Sequence, residues 1–202
     1  MKLRAEIKAQ AKNNFMNQYG ISIGAGLLYI ILMGAVGWTF IGTLLLAPPL
    51  VVGYASFTLR IYRGQQGDIG DMFSTGFNDY GRNLGGVLWM YLFIWLWTLL
   101  FIIPGIIKSL AYFMTPYILA DSKNVSATDA LKLSMRMTQG YKGEIFVMYL
   151  SFIGWAILTA ITGGILGIFF TGPYFSTSFA GLYHELKANA LAKGIVSPEE
   201  LA

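Results

Sequence analysis

The chain has no cysteine and a single histidine. The first absence excludes disulfides, thiolate metal sites and thiol catalysis together, and the second excludes a histidine-based metal cluster. Charge is scarce as well. Only 12% of the 202 residues are charged, against roughly 25% in an ordinary soluble domain. No phosphate-binding loop is present, because Gly163-Gly164 lacks a following Lys-Ser/Thr pair. The apolar runs hold no carboxylate pair, and no nucleophile motif is found in the chain. Catalytic residues, metals and cofactors are therefore not expected. The N-terminal segment stays polar up to Gly20, with no short apolar stretch and small-residue cleavage site after it, so a cleaved signal peptide is not expected either. The formal charge of +4 is spread between apolar runs, which suits topology signals rather than a nucleic-acid footprint.

What is there is long and apolar. Ile21–Leu59 and Ile145–Tyr183 are free of charge, each about twice the ~20 residues of one membrane crossing. Asn83–Ile107 and Ser109–Ala120 are also uncharged and are separated only by Lys108. Soluble core helices keep a polar face and do not need such runs. Each long run breaks near its middle, at Gly37–Thr43 and at Thr162-Gly163-Gly164, and the central pair breaks at Pro104-Gly105. The pattern predicts three helical hairpins and six crossings. Pro48-Pro49 in the second crossing predicts a kink or a helix start.

Polar amphipathic segments precede the hairpins. Leu3, Ile7, Ala11 and Phe15 recur at steps of four beside Lys2, Arg4, Lys8 and Lys12, which suits either a helix on an anionic membrane surface or a solvated terminus. Ile69–Tyr80 has helical apolar spacing behind Asp68 and Asp71, and Ser126 with Asp129 opens a third such segment in the manner of a capping box. Tyr19, Tyr80 and Tyr141 stand 61 residues apart at the three hairpin entrances. Equal spacing predicts three pseudo-repeated units of one membrane domain, about 1–63, 64–121 and 122–187, followed by a polar tail at 188–202. The fold class expected is thus an all-α membrane protein, with six transmembrane helices in three hairpins plus interfacial amphipathic helices. All of the 14 lysines and arginines except Lys108 lie on the side of the termini and inter-hairpin segments. The positive-inside rule then places both termini in the cytoplasm and the chain in the cell membrane. The same model predicts a girdle at one depth of Tyr19, Tyr62, Tyr80, Tyr117, Tyr141 and Tyr183.

Ser151–Trp155, Thr159–Gly167 and Gly172-Pro173-Tyr174 through Tyr183 resemble the C-terminal signature of a bacterial integral-membrane family known as domain of unknown function 975. Ile103–Lys108, Tyr117–Asp121 and Ser126–Gly140 are similar to that family too. The resemblance implies a polytopic protein of the cytoplasmic membrane, of a kind common in Gram-positive bacteria, and carries no activity over. The plan of three hairpins also resembles mitochondrial carriers, but only in helix number, since their charged Pro-x-acid-x-x-base signature is missing.

Candidate ligand or pathway residues are Pro104, Gly105, Lys108, Pro116, Tyr117, Pro173 and Tyr174. Lys108 is the one charge inside an apolar stretch, and it either snorkels to the nearer interface, the expected case, or faces the bundle and binds a ligand or freed carbonyls. The prolines either make discontinuous helices that bind ions or shape turns and kinks, the more ordinary outcome. Asp121, His184 and Glu185 are charged candidates where helices leave the bilayer, with solvated helix-end charges as the plainer reading. Gly20-x-x-x-Gly24, Ala160-x-x-x-Gly164 and Gly163-x-x-x-Gly167 are read as helix-packing motifs. The leading functional reading is a non-enzymatic small-solute or ion pathway. A membrane-embedded assembly, immunity or partner-binding protein is the alternative, and a lipid-processing enzyme the third. The bilayer is the expected partner, a membrane-protein partner or homo-oligomer is possible, and nucleic acid is not expected.

Overall fold

Apolar segments this long can satisfy their backbone only internally, which favours helix. The computed structural model describes residues 2–201, which form helices and no strand; Met1 and Ala202, the two ends of the expected domain, lie outside them. The α-helices are α1 (Arg4–Asn17), α2 (Tyr19–Gly37), α3 (Phe40–Tyr62), α4 (Ile69–Asn78), α5 (Tyr80–Leu100), α6 (Ile102–Tyr112), α7 (Thr115–Asp121), α8 (Ala127–Met137), α9 (Lys142–Leu150), α10 (Ile153–Ile161) and α11 (Gly172–Ala192). Five stretches are long and apolar enough to cross a membrane: Tyr19–Gly37, Phe40–Tyr62, Tyr80–Leu100, Ile102–Asp121 and Lys142–Ile161. The sixth expected crossing corresponds to α11, which is not among them. Its middle is almost wholly buried by protein, from Thr177 to Tyr183, so small and hydroxylated residues serve where lipid contact would demand apolar ones. Past residue 187, where a polar tail was expected, α11 continues to Ala192, and Val196 and Leu201 are buried beyond it.

The chain doubles back at three tips. Thr39 ends the first by accepting a hydrogen bond on its side-chain oxygen from the Gly42 N–H. The third tip is the expected Gly163-Gly164 pair, with φ of +62° and +90° that only glycine adopts freely. The second tip is Phe101 rather than Pro104-Gly105. Pro104 instead sits in the first turn of α6, where a helix has no use for its missing N–H. The tips carry a belt of exposed apolar side chains, among them Trp38, Phe40, Trp95, Phe101, Ile157 and Ile161.

The amphipathic helices turn their apolar faces to protein. Ile7, Ala11 and Phe15 of α1 are fully buried, against α11 and α3. Neither membrane-surface nor solvated-terminus reading holds for that stripe. α4 packs antiparallel along α3, so closely that a Cβ on Gly53 would overlap the Met72 carbonyl and one on Gly76 the Pro49 carbonyl. α8 lies against α5, α6 and α7. By contrast Gly20 and Gly24, expected to pack helices closely, have open space where their side chains would stand.

Side chains of neighbouring helices also repair interrupted ones. Pro49 lies inside α3 without ending it, and the carbonyl it leaves free, that of Leu45, accepts a hydrogen bond from the Tyr80 hydroxyl at 3.1 Å. The Ala111 carbonyl, freed by the break between α6 and α7, accepts from Ser134 (2.7 Å) and Thr138 (3.3 Å) of the α8 segment. The Ser151 carbonyl, at the break between α9 and α10, accepts from the Lys8 ammonium at 3.2 Å. Tyr80 therefore stands beside Leu45, about 25 Å along α3 from Tyr62 at 1.5 Å per residue, and does not share a single tyrosine girdle with it.

Candidate functional site

Three returning elements, α3, α7 and α11, meet at the end opposite the tips, here the base. Asp121 ends α7 with its side chain only 11% exposed. Arg63, just past α3, donates to both of its oxygens, at 2.7 and 2.9 Å. From α11, the Lys187 ammonium (2.7 Å) and the Tyr183 hydroxyl (3.0 Å) donate to Oδ2. A forked guanidinium and an ammonium on one shielded carboxylate keep it ionised and hold it in one geometry. The cluster keeps one net positive charge and fastens the three elements to each other.

Above it stands a column of aromatic rings. Tyr183 stacks on Tyr117 of α7, with centroids 5.4 Å apart and planes at 17°. Tyr117 in turn lines an open recess of about 220 Å³ with Ser109, Phe113, Pro116 and Phe179, and the exposed rings of Tyr91 and Tyr149 stand at its mouth. The recess thus has aromatic walls and a few hydroxyl groups, and the ion cluster lies two rings below its floor.

The candidate residues fall in separate places. Pro116 and Tyr117 line the open recess. Pro104 and Gly105 lie in the first turn of α6 just past the second tip, where Gly105 is buried against Thr98. Lys108 lies over the rings of Trp97 and Tyr112, at 5.0 and 5.6 Å, with its ammonium 3.9 Å from the Met135 sulfur. It makes no bond to a carbonyl or carboxylate among the described residues. Pro173 is buried beside Gly26 and Tyr54, next to a π-helical turn at Gly167–Thr171. Tyr174 packs on Phe152 and Trp155. Asp121, His184 and Glu185 do gather at the base. There Asp121 is held by the cluster, Glu185 takes Lys2 (3.2 Å), and His184 lies 5.8 Å from the Tyr62 ring.

Sequence reasoning missed Arg63, Lys187 and Tyr183 as partners of Asp121, and Lys8 as the cation reaching a broken helix. One signal was available. An acid with no neighbouring base on its own helix ends the second returning segment, whereas the first ends in Arg60 and Arg63 and the third carries Lys187 beside Glu185.

The family model described as "Protein of unknown function (DUF975)" matches residues 79–190, more than half of the chain. The chain belongs to the DUF975 family. The DUF975 match takes in Asp121, Tyr183 and Lys187 of the base cluster and leaves Arg63 before it. No curated protein and no solved structure matches the chain.

Proposed function

We propose that this DUF975 protein is a six-crossing bundle of the cytoplasmic membrane, built of three hairpin units at 1–63, 64–121 and 122–187, that gives a small solute or ion a regulated pathway. α11 is the sixth crossing, an inner one. The three-unit plan is supported by bends of one kind at Gln18 (φ −125°, ψ 39°) and Asp79 (φ −104°, ψ 50°), each ending an amphipathic helix and starting a long apolar one. It is supported too by the placement of α4 on α3, α8 on α7 and α6 as well as on the outgoing α5, and α1 on α11. Each amphipathic helix leans on a returning element of the preceding unit, and α1 closes the ring on the last. The basic residues put the base in the cytoplasm.

The observation that carries the pathway is the Asp121 cluster, a latch that ties all three returning elements below the recess at Tyr117. A pathway needs such an element with two arrangements, fastened and released. Flux into proteoliposomes tests it. Asp121→Asn should raise solute or ion flux about tenfold for each 1.4 kcal/mol by which the fastened state weakens, and Ser109→Phe, which fills the recess, should abolish flux. Wild type and Asp121→Asn both as tight as empty vesicles would refute the reading.

One observation favours the partner-binding alternative. An apolar groove of about 750 Å³ runs between α3 and α5, lined by Phe40, Leu44, Gly85, Leu88, Trp89 and Trp95 among others. A transmembrane helix of a partner or of a second copy would fit it. Co-purification that depends on Gly85 would support that function over flux.

A further inference from the structure

Arg4, Lys8 and Lys12 follow one another at steps of four and so form one line along α1. None of them makes an ion pair among the described residues, where the seven pairs present use other cations. Lys8 points at α9 and α10. Its ammonium donates to the carbonyl and hydroxyl of Ser151 and lies 4.1 Å from the centre of the Phe152 ring. One turn earlier, Arg4 borders an open recess of about 710 Å³ between α1 and α9, together with Lys2, Leu3, Glu144 and Val147. The acids nearby offset little of this charge. Glu185 is taken by Lys2, Glu6 accepts from the Leu3 N–H, and Glu144 stands on the opposite wall without an ion pair. Leu3 and Val147 are exposed at the recess, and Val147 continues into the exposed apolar face of Leu150 and Ile153.

We propose that the recess between α1 and α9 binds the head group of an anionic phospholipid, its phosphate at Arg4, with Lys8 and Lys12 farther along α1 adding to the positive field, and its first methylenes on Leu3 and Val147. Charge complementarity selects an anion, and continuity with the apolar belt selects a lipid over a soluble phosphate ester. Burial and the neighbouring Arg4 push the Lys8 pKa down, which is the effect of a cation lacking its counter-ion. The site rests on the base lying at a membrane surface and is independent of whether the bundle conducts.

Native mass spectrometry of the purified chain, titrated with phosphatidylglycerol or phosphatidylcholine, tests this. Lys8 is left in place because Ser151 depends on it. At low salt, Arg4→Gln/Lys12→Gln should lose phosphatidylglycerol affinity roughly 25-fold, about fivefold per cation, with phosphatidylcholine unchanged. Arg4→Lys/Lys12→Arg should keep it, and Lys123→Gln, an exposed cation elsewhere, should have no effect. The proposal is overturned if wild type retains the two lipids equally, if the double glutamine variant keeps its preference, or if Lys123→Gln loses as much. Displacement of the lipid by stoichiometric glycerol phosphate would overturn it in favour of a soluble ligand.

Discussion

Asp121 accepts from three side chains on two other elements, so its removal exposes what each of them costs unpaired. Asp121→Asn leaves Arg63 and Lys187 facing one another with the carboxylate gone, and should lower unfolding free energy by about 3 kcal/mol, read from thermal unfolding in detergent. Adding Arg63→Met should recover part of that loss, a coupling that a double-mutant cycle measures. Glu200 offers a test by pH. Arg136 donates to its carboxylate at 2.6 Å, as does the Ser197 N–H, and these bonds hold its pKa below the usual range. A depressed carboxyl pKa stabilises the fold above the unfolded value and loses that effect as pH falls through the folded value. Protection of the Ile195–Leu201 amides, taken as exchange relative to the intrinsic rate at each pH, should therefore fall below about pH 4 and hold steady from pH 5 to 8. At this scale the chain was half legible. Asp121 was recognisable as a charge at a helix end, whereas His184 and Glu185, read the same way, lie inside α11, and a spacing along the chain could not pair Asp121 with Arg63, 58 residues earlier.

Among elements, the recurrent arrangement is an interrupted helix whose free carbonyl is met by a side chain from a neighbouring helix. A buried carbonyl without a donor costs about 1 to 3 kcal/mol. Tyr80→Phe, which removes the donor to Leu45 and little else, should destabilise by about 1 kcal/mol, and calorimetry or thermal shift would detect it. Gly76→Ala should cost more, roughly 1 to 3 kcal/mol, because α3 and α4 must part to admit a methyl group at the Pro49 carbonyl; an unchanged melting point would show that the two helices have slack. Helical periodicity announced α1, α4 and α8 as amphipathic helices. It could not say whether lipid or protein covers the apolar face, because both select the same side chains. The glycines tell the same story. Regular spacing pointed to Gly20, Gly24, Gly163, Gly164 and Gly167, of which only Gly167 packs closely, on Thr159, whereas Gly53 and Gly76, outside any such spacing, stand where α3 and α4 meet.

For the whole molecule, the proposed topology makes a prediction about sidedness that suits a chain without cysteine. Single cysteines at Trp38, Phe101 and Thr162, all exposed at tips, should react with an impermeant reagent added outside cells, and those at Gln66, Asn124 and Lys193 should be protected. The reverse pattern would invert the orientation, and labelling of Trp38 and Thr162 on opposite sides would break the three-hairpin plan. By itself, the sequence determined the helical class, a tip within Gly37–Thr43 and one at Thr162-Gly163-Gly164, the apolar stretches and the family, since these follow from local backbone preference, uncharged length and quoted motifs. It did not reveal that α11 is sheltered by protein, that Lys108 rests on Trp97 and Tyr112, or that Lys8 instead reaches a broken helix. Only tertiary structure decided these, for a physical reason: a side chain's environment is set by what stands across from it, and crossing points between helices are not encoded in the period of any one of them.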